Sequence, residues 1–211
     1  GARQLHNGIA INTQFCMSNP EARKIVADYI ADYAAVHTNV DYIHVWLADG
    51  WRNHCECDEC VKKLPTDWYV MLLNDIDKAF TSRGLNTRIV FIAYHETIWA
   101  PEEARIENPD RFCLMLAPIS RNYTRTLSDN ANPQMLPFVL NKCQPPVELD
   151  EFLVYFKEWK KVWGGSNLCY EYHFWKHQMF DFSGQVLAKR IFEDVDVYLE
   201  NDINGLIACG S

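Results

Sequence analysis

The chain has 211 residues, of which 48% are hydrophobic, 13% aromatic and 23% charged, a composition typical of a folded globular domain that excludes intrinsic disorder. Its 20 basic and 28 acidic residues give a formal net charge of −8, and no stretch supplies the basic face of a nucleic-acid-binding protein. No apolar run approaches the roughly 20 residues that a membrane span needs. At this length a single domain over residues 1–211 is the default expectation.

Short apolar runs alternate along the chain with stretches of helical periodicity. Pro20 follows Ser18 and Asn19, either of which would cap the first helix, and the apolar residues of that helix at helical spacing are Ile25, Val26, Tyr29, Ile30, Tyr33 and Ala34. The pattern predicts six strands, over residues 8–16, 42–49, 88–94, 111–117, 167–173 and 205–209. It predicts four helices, over residues 20–36, 66–84, 149–163 and 183–201. A polar loop over residues 50–63 and an irregular stretch over residues 118–146 complete the chain order.

Continuous apolar strands separated by amphipathic helices predict an α/β fold with parallel strands. Two architectures stay open, a doubly wound sheet and a (β/α)8 barrel of the TIM type. No Gly-x-Gly-x-x-Gly motif follows a strand and no P-loop occurs, which weakens the first. Polar and aromatic clusters follow the strand ends, where barrel active sites lie, and this favours the second. Six predicted strands make the barrel partial, and the link between Tyr94 and Arg111, too short for a standard helix, makes it irregular.

A cluster of cysteines lies in the polar loop. Cys55, Cys57 and Cys60 have CxCxxC spacing with His54 adjacent, so these four residues are the predicted ligands of one tetrahedral ion, a structural zinc. Cys143 or another distant group could instead supply the fourth ligand, and free or partly paired thiols are the alternative to a metal. The remaining cysteines lie in or beside apolar runs and are predicted to be small buried hydrophobes; they are Cys16, Cys113, Cys169 and Cys209.

Carboxylates accompany three of the predicted strands. Asp49 ends the second strand, Glu96 follows the third, and Glu171 lies in the fifth with His173 on the same face. Glycoside hydrolysis needs one carboxylic acid to protonate the leaving oxygen and one carboxylate to attack or to activate water, so these acids are the predicted catalytic residues. The structural alternatives are a turn at Asp49, a cap at Glu96 and a buried pair between Glu171 and His173.

Aromatic and hydrogen-bonding side chains near the same strand ends would stack on sugar rings or orient hydroxyl groups. No Gly-x-Ser-x-Gly nucleophile elbow occurs, so acyl chemistry is not indicated, and no cofactor is expected for catalysis. The predicted substrate-binding residues are His95, Trp99, Arg121, Tyr123, Tyr172, His173 and Trp175.

The run from Trp46 to Cys60, WLADGWRNHCECDEC, is followed by Asp67, Trp68 and a helix with Asn74. These residues, the apolar strand that ends at Tyr94 and the closing residues 204–211 resemble the bacterial family called domain of unknown function 4838. The resemblance extends over most of the chain, from roughly residue 12 to the end, and the CxCxxC after a strand-end acid is its most specific part.

The resemblance implies a TIM barrel related to hexosaminidase- and glucuronidase-type glycoside hydrolases, and a sugar-directed role. It also implies a larger, often exported bacterial protein with a domain before the barrel, so the expected location is the periplasm, the cell surface or the medium. Asp49 matches the acidic strand-end site of these barrels, and Glu171 keeps an acid on the fifth strand. Gly50 follows Asp49 where hexosaminidase-type enzymes carry a second acid.

Three functions are compatible with these residues. The first is a glycoside hydrolase-like barrel that acts on a complex glycan through its strand-end carboxylates. The second is a carbohydrate-binding barrel without catalysis, and the third is a structural domain with a Cys-rich metal site. The expected partner in the first two is an oligosaccharide or polysaccharide, and neither nucleic acid nor a membrane span is expected.

Overall fold

The computed structural model describes residues 5–6, 9–10, 13–130, 132–175 and 177–210 of the chain. Two short strands pair antiparallel at the start, and four α-helices and five further strands follow. In chain order the elements are β1 (Leu5–His6), β2 (Ile9–Ala10), α1 (Pro20–Val36), β3 (Tyr42–Val45), α2 (Pro65–Ser82), β4 (Arg88–Ala93), β5 (Phe112–Leu116), α3 (Leu149–Val162), β6 (Ser166–Phe174), α4 (Gln185–Glu200) and β7 (Leu206–Gly210).

The five strands from β3 to β7 form one parallel sheet in which spatial order follows chain order, and the sheet curls into half a barrel. Each pair of neighbours except β4 and β5 is connected through an α-helix. The α/β class, the parallel pairing and a partial barrel are therefore confirmed. The four predicted helices and the last five predicted strands lie where the sequence pattern placed them, within a few residues at each end.

The first predicted strand, over residues 8–16, does not join this sheet among the described residues. Ile9–Ala10 pairs with Leu5–His6 instead, residues 13–16 have no strand geometry, and residues 8 and 11–12 lie outside the described part. The Gln14 side chain bonds the backbone of Ala48 on both sides, donating to its oxygen at 3.0 Å and accepting from its nitrogen at 3.1 Å. A side-chain amide thus docks this segment beyond the end of β3 where a strand was predicted.

Side chains that alternate along the strands form two separate hydrophobic clusters. On one face Ile89, Phe91 and Leu114 pack against the four helices in the larger core. On the other face Val90, Ile92 and Met115 form a smaller cluster with ring residues at the strand ends, and among the described residues no helix contributes to it. The helices therefore shield one face of the sheet, and the concave face stays open for a site.

The first helix buries only part of its predicted apolar stripe: Ala34 is in the core, and Val26 and Ile30 pack partly against it. Asn19 caps α1, because its Oδ1 accepts hydrogen bonds from the nitrogens of Glu21 at 2.9 Å and Ala22 at 3.2 Å. The stripe residues Ile25 and Tyr29 are 70% and 72% exposed. Small side chains make the close contact with the core instead, namely those of Ala27, Ala31 and Ala34.

No α-helix connects β4 and β5, as the short link predicted, and one face of α2 holds this loop in place. Asp67 accepts hydrogen bonds from the nitrogens of Glu103 at 2.8 Å and Ala104 at 2.7 Å. Two helical turns further along α2, the side chain of Asn74 donates to the oxygen of Arg105 at 2.8 Å and accepts from the nitrogen of Glu107 at 3.1 Å. Buried side chains thus satisfy backbone groups that a crossover helix would have satisfied internally.

Of the four cysteines predicted to be small buried hydrophobes, Cys113 and Cys169 are buried at 6% and 0% exposure. The prediction is wrong for Cys16 and Cys209, which are only partly buried. None of the helices in the described part of the chain combines the length and the apolar character that a bilayer crossing requires.

We expect Asn74→Ala to lower the free energy of unfolding by about 1–3 kcal/mol, because it removes two hydrogen bonds between a buried side chain and the backbone of the β4–β5 loop. Urea denaturation followed by circular dichroism measures the change. Lys78→Ala on the exposed side of the same helix is the matched control and should leave the stability nearly unchanged. Equal stability of the Asn74 variant and the wild type would show that the loop does not depend on this bond pair.

Candidate functional site

The C-terminal ends of the parallel strands surround a pocket of about 310 Å³ on the concave face. This is the end of a parallel α/β sheet where ligand sites are generally found. The segments after β3 and β4 supply its acids and imidazoles and the largest share of the other lining residues, while β6, β7 and the segments after β5 and β6 complete the wall. The polar and aromatic lining residues are Gln14, Trp46, Asp49, His54, Tyr94, His95, Glu96, Thr97, Tyr170, Tyr172 and Trp175.

Glu96 is the buried acid of the pocket, with 1% of its surface exposed. Its Oε1 accepts a hydrogen bond from the backbone nitrogen of Arg52, and its Oε2 lies 3.8 Å from Nε2 of His54. Burial raises the pKa of Glu96, although the Arg52 N–H works in the opposite direction. The site therefore favours the protonated form of this acid, as a proton donor requires.

Asp49 is the exposed acid of the same pocket. The hydroxyl of Tyr94 donates a hydrogen bond to its Oδ1 at 3.1 Å. Burial and the neighbouring Asp49 carboxylate raise the pKa of Tyr94, which keeps the phenol protonated and donating. One acid is thus buried and the other solvated, the arrangement that separates a proton donor from a carboxylate base or nucleophile.

Two imidazoles line the wall beside the acids. Burial lowers the pKa of both His54 and His95 to about 4, so both rings are neutral near pH 7. The Nδ1 atoms of both rings are buried without a hydrogen-bond partner among the described residues. The His95 ring stacks on Trp51 with 5.3 Å between ring centroids. Each ring therefore carries a buried polar atom that no described residue satisfies.

The backbone around the pocket adopts left-handed conformations that side chains other than glycine rarely take. Arg52 has a φ of 59° and His95 has a φ of 48°. Asn141 has a φ of 56°, and its side chain accepts from the His54 nitrogen at 2.9 Å and donates to the His54 oxygen at 3.0 Å. Strained backbone of this kind clusters at functional sites, so its presence here supports a functional role for the pocket.

Aromatic rings form the rim opposite the acids. Trp46 is 46% exposed and meets Tyr170 edge to face at 5.8 Å between centroids. Trp175 is 45% exposed, and its ring lies 5.8 Å from that of Tyr172. Flat apolar rings that remain partly exposed at a pocket mouth are suited to stack on a flat ligand.

Glu171 does not lie with the other two acids. It is fully buried on the helix-covered face, where Arg121 Nη1 donates to its Oε1 at 2.6 Å and the hydroxyls of Tyr123 and Tyr198 also donate to the carboxylate. Arg121 also bonds both oxygens of Asp194, at 2.6 and 2.7 Å. This is a closed ionic network between β6 and α4, so the structural alternative for Glu171 fits its position.

The predicted substrate-binding residues lie in three places: the pocket, the buried network and the hydrophobic core. His95, Tyr172 and Trp175 line the pocket. Arg121, Tyr123 and His173 belong to the buried network, where His173 Nε2 is 2.8 Å from Asp194 Oδ2. Trp99 is a core residue whose Nε1 donates to the Leu136 oxygen at 2.8 Å.

Sequence reasoning missed several pocket residues. Tyr170 could have been found, because it shares a face with Tyr172 at a spacing of two residues. Tyr94 was assigned to a strand end without a role. Gln14 had no signal, since it comes from a distant segment with no motif around it.

The loop thiols lie close together and gain a fourth member from outside the loop. Cys16, Cys55, Cys57 and Cys60 have sulfur atoms within 4.8 Å of one another. The Cys16 sulfur therefore occupies the place that the sequence assigned to His54 or Cys143. His54 faces Glu96 instead, and the Cys143 thiol also lies beside Glu96, where burial and that carboxylate raise its pKa to about 12.

Comparison with known proteins identifies the chain by family. The chain belongs to the family described as "Domain of unknown function (DUF4838)", whose model matches residues 2–210. No curated protein and no solved structure matches it significantly.

We expect Arg121→Ala to lower the free energy of unfolding by about 3–5 kcal/mol, because it leaves two buried carboxylates without their cation. Arg121→Lys should lose less, since it keeps the charge but not the forked hydrogen bonds. The exposed Arg125→Ala is the control and should change the unfolding midpoint little. A stable Arg121→Ala protein in chemical denaturation would contradict this view of the network.

The raised pKa of Glu96 makes a prediction for the pH dependence of stability. The folded state binds this proton more tightly than the unfolded state, in which the pKa of Glu96 is near 4.5. The protonated side chain therefore contributes its full stabilisation below pH 4.5, and this stabilisation is lost as the pH rises through the pKa of the folded state. We expect Glu96→Gln to remove this loss, so the variant gains stability relative to the wild type as the pH increases. Urea denaturation from about pH 4 to about pH 8 measures the difference.

The exposed Glu102→Gln, on the loop that follows, is the matched control, and its curve should run parallel to that of the wild type. A Glu96→Gln curve that is also parallel would mean that Glu96 does not hold its proton more tightly in the folded state.

Proposed function

We propose that the half-barrel sheet is part of a (β/α)8 barrel of the TIM type, and that its pocket hydrolyses glycosidic bonds in a complex glycan. One observation carries the proposal: Asp49 and Glu96, one solvated and one buried, line a single aromatic-walled pocket at the C-terminal ends of parallel strands. Membership of the family and the curled parallel sheet are compatible with such a barrel.

The two acids would divide the reaction between them. Glu96 would act as the general acid that protonates the leaving glycosidic oxygen, because burial favours its protonated form. Asp49 would act as the carboxylate that attacks the anomeric carbon or activates water, with the Tyr94 hydroxyl holding its orientation. Glu171 has no part in this scheme.

The remaining wall would recognise the sugar itself. Trp46 and Trp175 would stack on ring faces, and the neutral His54 and His95, which line the pocket, would bond hydroxyl groups. None of the described pocket-lining residues is Lys or Arg, while two are acids. Repulsion of like charges therefore favours neutral sugars over uronic acids.

A carbohydrate-binding barrel without turnover is the second candidate. The exposure of both tryptophans at the rim favours it, because stacking on sugar rings needs no catalytic acid. In the hydrolase, the two acids are needed for bond cleavage. In the binding barrel, only the aromatic rings are needed, and they are needed for binding.

The test is a screen of the protein against polysaccharides of plant, bacterial and host origin, and against aryl glycosides of neutral sugars, N-acetylhexosamines and uronic acids. We expect turnover of a neutral glycoside. Glu96→Gln should lower kcat/KM by about 10²- to 10⁴-fold on a substrate with a poor leaving group and far less on one with an activated aryl leaving group, since only the former needs protonation. Asp49→Asn should be slow on both substrates.

Glu102→Gln, an exposed acid outside the pocket, should turn over both substrates at the wild-type rate. The configuration of the first product, read by NMR, reports whether the reaction retains or inverts the anomeric centre. Calorimetric binding that Trp46→Ala weakens, without any product, would select the binding candidate. No turnover and no binding across the panel would overturn both candidates.

A further inference from the structure

Four thiols from two distant parts of the chain meet beside the pocket. Cys16 lies just before α1, whereas Cys55, Cys57 and Cys60 belong to the loop between β3 and α2. The Cys16 sulfur is 3.7 Å from the sulfur of Cys57 and 3.7 Å from that of Cys60. The fold thus creates a cluster of four sulfurs, and the spacing of the loop cysteines predicts only three of them.

The spacing of the sulfurs fits a metal and not a disulfide. Four sulfurs at the Zn–S distance of about 2.3 Å would stand about 3.8 Å apart along the edges of a tetrahedron. A disulfide needs an S–S distance of about 2.05 Å. The two separations of 3.7 Å from the Cys16 sulfur to those of Cys57 and Cys60 agree with the tetrahedron, and all four sulfurs lie within 4.8 Å of one another.

Polar groups lie next to these sulfurs. The Ser18 hydroxyl is 3.3 Å from the Cys16 sulfur and accepts a hydrogen bond from the Cys60 thiol at 3.1 Å. Once the thiol gives up its proton to bind a metal, this hydroxyl can donate to one of the two sulfurs. The backbone nitrogen of Cys60 donates to the Cys57 sulfur at 3.5 Å. Donors that surround the ligand sulfurs are the usual second shell of a thiolate metal site.

We propose that Cys16, Cys55, Cys57 and Cys60 bind one zinc ion in a tetrahedral all-thiolate site, and that this ion anchors one wall of the pocket. With four sulfur ligands the ion has no open position, so its role is structural. The proposal replaces the expected His54 ligand with Cys16.

The connection to the pocket runs through the chain neighbours of the ligands. Gln14, two residues before Cys16, lines the pocket and bonds the Ala48 backbone. His54, the residue before Cys55, lines the same pocket and faces Glu96. Loss of the ion would therefore release both residues from their places, whatever reaction the pocket performs.

The first experiment uses the unaltered protein and reads the metal directly. We expect one equivalent of zinc by elemental analysis, and protection of Cys16, Cys55, Cys57 and Cys60 from alkylation, mapped by mass spectrometry. A chelator should release the zinc and make these four thiols reactive. Cys113, buried in β5 and outside the pocket lining, is the internal control and should stay unreactive before and after chelation.

Variants identify the fourth ligand. Cys16→Ser should weaken zinc binding by more than the ~10- to 100-fold that loss of a second-shell partner costs. His54→Ala and Cys209→Ser should keep the wild-type zinc content. Co²⁺ in place of zinc should give the intense visible absorption of tetrahedral thiolate coordination in wild type and in His54→Ala.

Several results would overturn the proposal: a Cys16–Cys57 or Cys16–Cys60 disulfide in the mapped peptides, no zinc in the protein, iron in place of zinc, or loss of zinc in His54→Ala. These readouts do not involve a sugar. Failure of the metal site and failure of the glycosidase proposal are therefore distinguished.

Discussion

The alternation of side chains along the parallel strands is the constraint on which the rest of this molecule depends. Consecutive residues of β6 point to opposite faces, so Tyr170 and Tyr172 reach the open concave face while Glu171 and His173 turn toward α4. A shift of one residue would place a carboxylate where a pocket-facing ring now lies. The regular pairing of β6 with β7 is interrupted between Glu171 and Phe174, so the irregular part includes Tyr172 and His173.

Much of the fold could be predicted from the sequence because long helices and buried strands carry strong periodic signals. The helices α2, α3 and α4 and the strands from β3 to β7 lie within a few residues of their predicted bounds. The buried face of α1 was harder to predict, since small alanines make the close contact and the bulkier Ile25 and Tyr29 remain exposed. The antiparallel pair at the start has strands of two residues each, too short for a periodic signal.

The site was only partly predictable, because its composition depends on which face of each strand the helices cover. Asp49 and Glu96 follow strand ends in loops, and their convergence follows from parallel topology. Glu171 has the same local signal, but its face is decided by the position of α4, which sequence spacing does not reveal. Cys16 joins the thiol cluster from 41 residues before Cys57, a separation at which no spacing rule operates.

The left-handed backbone at Arg52, His95 and Asn141 has a consequence for how this scaffold can change. Each such residue costs of order 1–3 kcal/mol relative to a relaxed conformation. A fourth left-handed residue, Asp202, lies between α4 and β7, so this conformation is not confined to the cleft. Glycine adopts it without steric cost, so each of these side chains is kept at the expense of stability.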